Sequence, residues 1–296
     1  MTLRHAVTSV LDIAYEITNE GAADTAVLLH GFPYDVRAYD EVVPILAERG
    51  YQVVVPHLRG CGGTRFTDDA TLRSGEQAAL GEDLVELMDA LGIETATLAG
   101  YDWGGRAACI VAAPYPERVT GLVSVGGYNI QNIAAAVEPA PPLWESTYWY
   151  QYYFQSERGY RGLEANREEL CELLWRNWSP EWEDASSAFA PSAASLHNTD
   201  FVDVVTHSYR HRYGLVEGDP QYAAIESQLA LQPTISIPTI VLDSGADGVL
   251  GTPASEDAVM FTGRYEHRLL PGIGHNVPQE APGEFARAVL DVATVH

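Results

Sequence analysis

The distribution of apolar and polar residues changes character twice along the chain. From Thr25 the run Ala26-Val27-Leu28-Leu29 is short, uniformly apolar and followed by Gly31, the pattern of a buried strand that ends in a loop. Arg37 to Arg49 has helical spacing through Tyr39, Val42, Val43 and Leu46, and Gly50 stands where a C-cap glycine belongs. Gln52-Val53-Val54-Val55 predicts a second buried strand. Gly75 to Leu91 predicts an amphipathic helix with Leu80, Leu84, Leu87 and Met88 on one side. Thr95 to Ala99 follows as a strand, Gly104 to Ala113 as a helix of small residues, and Val119 to Val125 as another strand. This alternation is that of parallel βαβ units. It stops near Tyr128. From there to about Leu231, aromatics crowd in behind Pro139, Pro141 and Pro142, and helices are expected. The first rhythm returns at Ile237 to Leu242 and at His267 to Leu270, with a closing helix from about Gly283 to Val292. The expected organisation is an α/β core in two parts, residues 1–128 and 232–296, with a helical lid inserted at 129–231.

Composition narrows the partners. At 296 residues the chain is ample for a substantial core, and its 46% hydrophobic content is ordinary for a globular protein. A formal charge of −24, from 41 acidic residues against 17 basic ones, makes a polyanion such as nucleic acid an unfavourable partner. Every basic residue is arginine, which fits either a high-salt cytoplasm or a GC-rich genome. Cys61, Cys109 and Cys171 are too few and too scattered for a disulfide framework or a zinc site, and Cys109 is expected to be buried in its apolar helix. The segment from Met1 to Tyr15 has no signal-peptide core, and no run approaches the ~20 apolar residues of a membrane span. A cytoplasmic protein with no membrane association is the default expectation, with a homodimer allowed.

The candidate chemistry centres on Gly100-Tyr101-Asp102-Trp103-Gly104. This is a nucleophile elbow, a strand followed by a sharp turn and a helix, with aspartate in the position that serine fills in most hydrolases of this pattern. A carboxylate can attack a saturated carbon and leave an ester that water cleaves, whereas serine attacking the same carbon would leave an ether. His275, in Gly272-Ile273-Gly274-His275-Asn276, follows a late strand and agrees with the chain order nucleophile, acid, histidine. Asp247, in the loop after the preceding strand, is the expected orienting acid; Asp243 competes but lies at the strand end. The backbone N–H groups of Phe32, in His30-Gly31-Phe32-Pro33, and of Trp103 are expected to form an oxyanion hole. His30 is expected to be structural.

With these motifs the chain resembles the α/β-hydrolase superfamily and, within it, the epoxide hydrolases and haloalkane dehalogenases that use aspartate. The resemblance implies a mostly parallel central sheet flanked by helices, with a lid. Tyr150-Gln151-Tyr152-Tyr153-Phe154-Gln155 is similar to the stretch carrying one ring-opening tyrosine of epoxide hydrolases, here Tyr150, and Tyr209-Arg210 to the pair carrying the second, here Tyr209. Tyr153 and Tyr213 are the substitutes. Two phenols suit the task, since an opened epoxide needs a proton that a departing halide does not. Trp103, Tyr153 and Trp149 are the expected substrate-binding residues. The implied reaction turns an apolar or aromatic epoxide, a small molecule, into a vicinal diol without metal or organic cofactor. A haloalkane dehalogenase using the same triad is the alternative, although Phe32 stands where many such enzymes carry a halide-binding Asn. A catalytically idle small-molecule receptor comes third. Arg106 lies near the nucleophile without an assignable task.

Overall fold

The computed structural model describes residues 2–249 and 256–293; the expected core therefore extends at residues 1, 250–255 and 294–296 beyond the described residues. Its centre is a nine-stranded sheet. In chain order the strands are β1 (Thr2–Val7), β2 (Leu11–Thr18), β3 (Asp24–Leu29), β4 (Tyr51–Pro56), β5 (Arg65–Phe66), β6 (Ala96–Gly100), β7 (Val119–Val125), β8 (Thr239–Ser244) and β9 (Tyr265–Leu270). They lie in the order β1-β2-β4-β3-β6-β7-β8-β9, with β5 paired to β2. From β4 through β9 the neighbours are parallel; β1, β2 and β5 make the antiparallel edge.

The uniformly apolar strands are the ones covered on both faces. Ala26 to Leu29, Val53 to Val55 and Ala96 to Ala99 are almost wholly inaccessible, as a parallel sheet between two helix layers requires. The helix Gln77–Ala90 buries Leu80, Leu84, Leu87 and Met88, and the helix Asp102–Ala112 is buried along nearly its whole length, Cys109 included. Its small residues allow that close approach. Gly50 has the positive φ, +87°, of a helix C-cap. The first helix is shorter than its apolar spacing predicts: Val36–Tyr39 is a single 3-10 turn, and the α-helix runs over Val42–Glu48. Two strands precede the first one expected, and β2 carries a period-two signal, with Leu11, Ile13, Tyr15 and Ile17 inward.

Between β7 and β8 the chain leaves the sheet. It forms a series of helices, among them Pro142–Thr147, Trp149–Gln155, Arg167–Trp178 and Phe201–Arg212. No helix of the described residues is long and apolar enough to cross a membrane.

The strand order places the site. From β3 the chain moves outward to β4 and then returns to β6 on the other side of β3. The carboxyl ends of β3 and β6 therefore lie side by side at the switch in winding direction, where open α/β sheets have a crevice. Those ends lead into His30-Gly31-Phe32 and Tyr101-Asp102.

One buried ion pair joins the loop after β4 to the core. Arg59 donates from Nε and Nη2 to Asp83 at 2.7 and 2.6 Å, to the Ser74 carbonyl at 2.8 Å, and to the Tyr222 hydroxyl of the inserted segment at 3.0 Å. Removing one partner leaves the other charge stranded in a low-dielectric site. Arg59→Met should therefore destabilise the fold by about 3–5 kcal/mol in denaturant unfolding; a loss under about 1 kcal/mol would show that the pair is solvated enough to do without its cation.

Candidate active site

Asp102 ends the turn after β6 and begins the helix Asp102–Ala112 with φ at +51°, a left-handed conformation that few side chains adopt. Two glycines make room for it. A Cβ on Gly104 would lie 1.9 Å from the Leu29 carbonyl oxygen, and one on Gly31 would lie 2.4 Å from Asp102 itself. The turn can thus press against the end of β3, and the Phe32 N–H donates to Asp102 Oδ1 at 2.7 Å. The Trp103 N–H lies in the first helical turn, where amides lack an intrahelical acceptor. His30 Nδ1 contacts the Gly31 carbonyl at 3.0 Å while Nε2 accepts from the Leu58 N–H at 3.1 Å, so both nitrogens hold loop backbone.

His275 reaches the same carboxyl from the loop after β9. Its Nε2 is 3.7 Å from Asp102 Oδ2 and makes no hydrogen bond among the described residues, while Nδ1 lies 2.8 Å from Asp247 Oδ2. Asp247 also accepts from the Val249 N–H at 2.7 Å; Asp243 faces His267 instead, at 3.3 Å. Burial would lower the pKa of His275, but the Asp247 and Asp102 carboxylates outweigh it and raise the imidazole to about 10. Burial alone would raise Asp102; the His275 contacts, the Arg106 charge and the Phe32 N–H hold it below the ordinary carboxylate value. The resting pair is carboxylate and imidazolium.

Residues that no motif pointed to fix the histidine loop. The Trp178 carbonyl accepts from both Gly248 N–H (2.9 Å) and His275 N–H (3.2 Å), tying the acid loop and the histidine loop to one point of the inserted helices. Ser179 Oγ accepts from His275 N–H at 3.1 Å and donates to Glu280, whose carboxylate also accepts from the Gly274 and Asn276 N–H groups. The Trp178 link runs through a backbone oxygen, which leaves no residue-type signature.

A cavity of about 970 Å³ opens onto Asp102 and His275, walled by Arg106, Tyr150, Gln151, Arg212 and Tyr213 among others. Tyr150 is almost fully buried, and its hydroxyl accepts from Gln151 Nε2 at 2.9 Å and hydrogen-bonds with Tyr209. Tyr209 is inaccessible and packs edge-on against Tyr150, ring centroids 5.3 Å apart. Burial pushes both phenols well above their ordinary pKa, so both stay protonated at neutral pH.

Three expected substrate contacts lie elsewhere. In the helix Trp149–Gln155, Tyr150 and Phe154 share the inward face one turn apart; Trp149 is 39% exposed, and neither it nor Tyr153 lines the cavity. Trp103 stacks on Phe32 at 5.7 Å and borders a small hollow behind the site rather than the large cavity. Of the two substitute tyrosines, Tyr213 does line the cavity and donates to Gln151 Oε1 at 3.0 Å.

Among the described residues two side-chain groups have the spacing of metal ligands, and in each the protein supplies partners. His30, of the His30, His57, Cys61 group, has both nitrogens engaged. The carboxylates of Glu76 and Glu226, near His211, accept from Ser74, Asp219, Gln77 and Ala78.

Replacing Asp102 with Asn removes one of the two carboxylates beside His275, so its imidazole should titrate at lower pH in the variant, as followed by two-dimensional NMR of the ring nitrogens. An unchanged titration would mean that Asp247 alone sets the charge. Because the folded-state value stands above the ordinary 6.5, the network's contribution to stability is present below about pH 6.5 and is lost as pH rises through about 10.

The comparisons with known proteins bear on the fold and the family. Residues 26–277 match the family model described as the alpha/beta hydrolase fold. Epoxide hydrolase A of Mycobacterium tuberculosis is 27% identical over 302 residues, covering 93% of this chain and 92% of that protein. A candidate epoxide hydrolase from Klebsiella pneumoniae, known as a crystal structure, is 42% identical with a TM-score of 0.98, covering 99% of this chain and 98% of the other. A fluoroacetate dehalogenase of a Burkholderia species is 31% identical over 150 residues, about half of each chain (50% and 48%). The chain belongs to the α/β-hydrolase fold family and groups within it with the epoxide hydrolases.

Proposed function

We propose that the protein hydrolyses epoxides to vicinal diols through an ester of Asp102. One observation carries this reading: a carboxylate on the strained elbow faces a histidine–carboxylate pair on one side and a buried, protonated phenol on the cavity wall. Asp102 attacks one oxirane carbon, the carbon–oxygen bond breaks, and Tyr150, supported by Tyr209, gives its proton to the departing oxygen. Tyr150 already accepts from its neighbours, which leaves its own hydrogen free for that transfer.

Ester formation removes the negative charge of Asp102 and with it one of the two groups that hold His275 protonated. The imidazole then releases a proton, which balances the one lent by Tyr150, and becomes the base for water. Hydroxide adds to the ester carbonyl, and the oxyanion falls to the N–H groups of Phe32 and Trp103. Collapse regenerates Asp102 and frees the diol. Asp247 keeps the ring oriented throughout.

Dehalogenation by the same triad is the second reading; the Trp103 indole N–H is buried without a partner among the described residues, although it borders the small hollow and not the large cavity. Dehalogenation leaves the phenols without a task. Parallel assays with styrene oxide and short haloalkanes separate the two: diol supports the first reading, halide without diol the second.

In His275→Gln the second half-reaction stops, and mass spectrometry should find one substrate mass added to the peptide containing Asp102 after incubation with styrene oxide. No adduct in single turnover would overturn the ester route. Tyr150→Phe should slow adduct formation by about 10²-fold or more while the thermal midpoint stays close to wild type; alkylation at the wild-type rate would remove Tyr150 from ring opening.

A further inference from the structure

One charged group in the cavity makes no contact with substrate in the reaction described above. Arg106 follows Asp102 by one helical turn, so the two side chains leave the same face of the helix, and Arg106 lines the cavity. It is 7% exposed, its Nε is buried without a partner, and among the described residues its guanidinium makes no hydrogen bond or salt bridge. A buried cation left this way is costly, and the chain pairs its other deeply buried guanidinium, Arg59, with Asp83.

Arg212 lines the same cavity from the end of the helix Phe201–Arg212. It donates to Gln151 Oε1 at 3.1 Å and, with the amide turned, to the Gln131 oxygen, and it lies over the Tyr209 ring, but it meets no carboxylate among the described residues. Burial and the Arg212 charge bring Arg106 down to about 10, so it remains cationic at neutral pH. Carboxylates wall the same cavity, yet among the described residues none forms an ion pair with either arginine. The carboxylates that wall the cavity are otherwise committed. Asp102 and Asp247 hold His275, Asp243 faces His267, Glu145 accepts from the Ala140 N–H and the Tyr152 hydroxyl, and Glu138 is exposed at the rim.

We propose that Arg106 and Arg212 together receive a carboxylate carried by the substrate, so that the enzyme selects epoxides with a carboxylate near the oxirane ring. This rests on the epoxide reading. A planar guanidinium fork matches a carboxylate edge, and the bound anion supplies the partner that Arg106 lacks. Seated one turn along the helix from Asp102, the anion holds the oxirane carbon near the nucleophile. A merely electrostatic role for Arg106, keeping Asp102 ionised, makes a different prediction, because it would serve neutral and anionic substrates alike.

The test compares styrene oxide with 3-phenylglycidate, the same ring bearing a carboxylate, in the wild type and in Arg106→Gln and Arg212→Gln. In the wild type kcat/KM should favour the glycidate, and each variant should reduce that preference by about tenfold or more, chiefly through KM. Equal losses for both substrates in Arg106→Gln, or a wild-type preference for styrene oxide, would overturn the proposal. Calorimetric titration with phenylacetate and with phenylacetamide decides the anion site independently of turnover. Phenylacetate alone should bind, and less tightly to Arg106→Gln and Arg106→Ala; equal binding of both, or of neither, contradicts the proposal. If phenylacetate binds as expected but neither epoxide is opened, the anion site stands and the epoxide reading fails.

Discussion

The left-handed backbone of Asp102 is the constraint on which the rest of the site depends. A non-glycine residue there costs roughly 1–2 kcal/mol, and aspartate is among the few side chains that tolerate it. The turn is held by its surroundings: β6 enters from the middle of a parallel sheet, the helix leaves in close contact with that sheet, and Gly104 lies against the last carbonyl of β3. Relaxing φ would swing the carboxyl away from the Phe32 N–H and out of range of His275. The strain converts sheet packing into the position of two oxygen atoms.

The charges around that carboxyl follow from where it sits. Two carboxylates hold His275 as a cation, and the cation in turn keeps Asp102 ionised, so the resting site stores a base in its protonated form. In the proposed cycle the base would be released only when Asp102 has spent its charge in a bond, which would order the two half-reactions without a moving part. The Trp178 carbonyl contributes by holding the acid loop and the histidine loop at one point of the inserted helices. Damage to those helices would therefore reach the triad through two backbone hydrogen bonds.

Much of this was legible in the sequence because it depends on local pattern. Alternating apolar runs and helical spacings marked β3, β4, β6 and β7 and the helices between them, and the glycine-flanked Asp102, the late His275 and the loop residue Asp247 converge as their order along the chain implies. Other parts were not, for physical reasons. The outward residues Trp149 and Tyr153 could not be told from the inward Tyr150 until the helix axis was known, because an aromatic-rich turn is apolar on every side. Trp103 faces a small hollow because its ring stacks on Phe32, a contact between a helix and a distant loop that spacing does not encode. The carbonyl clamp at Trp178 has no side-chain signature. Arg106 could be counted as near Asp102, but that its Nε is left without a partner among the described residues is a property of three-dimensional packing.

The claim beneath this account is that a carboxyl oxygen of Asp102 is exchanged for one from water in each cycle. A single turnover in water enriched in heavy oxygen, with enzyme in excess over styrene oxide, followed by mass analysis of the peptide containing Asp102, tests it directly. The account predicts heavy oxygen in the Asp102 side chain and a first-formed diol whose new oxygen is light. A first-formed diol carrying the heavy atom, with Asp102 unlabelled, would mean that water attacks the epoxide directly and would contradict it.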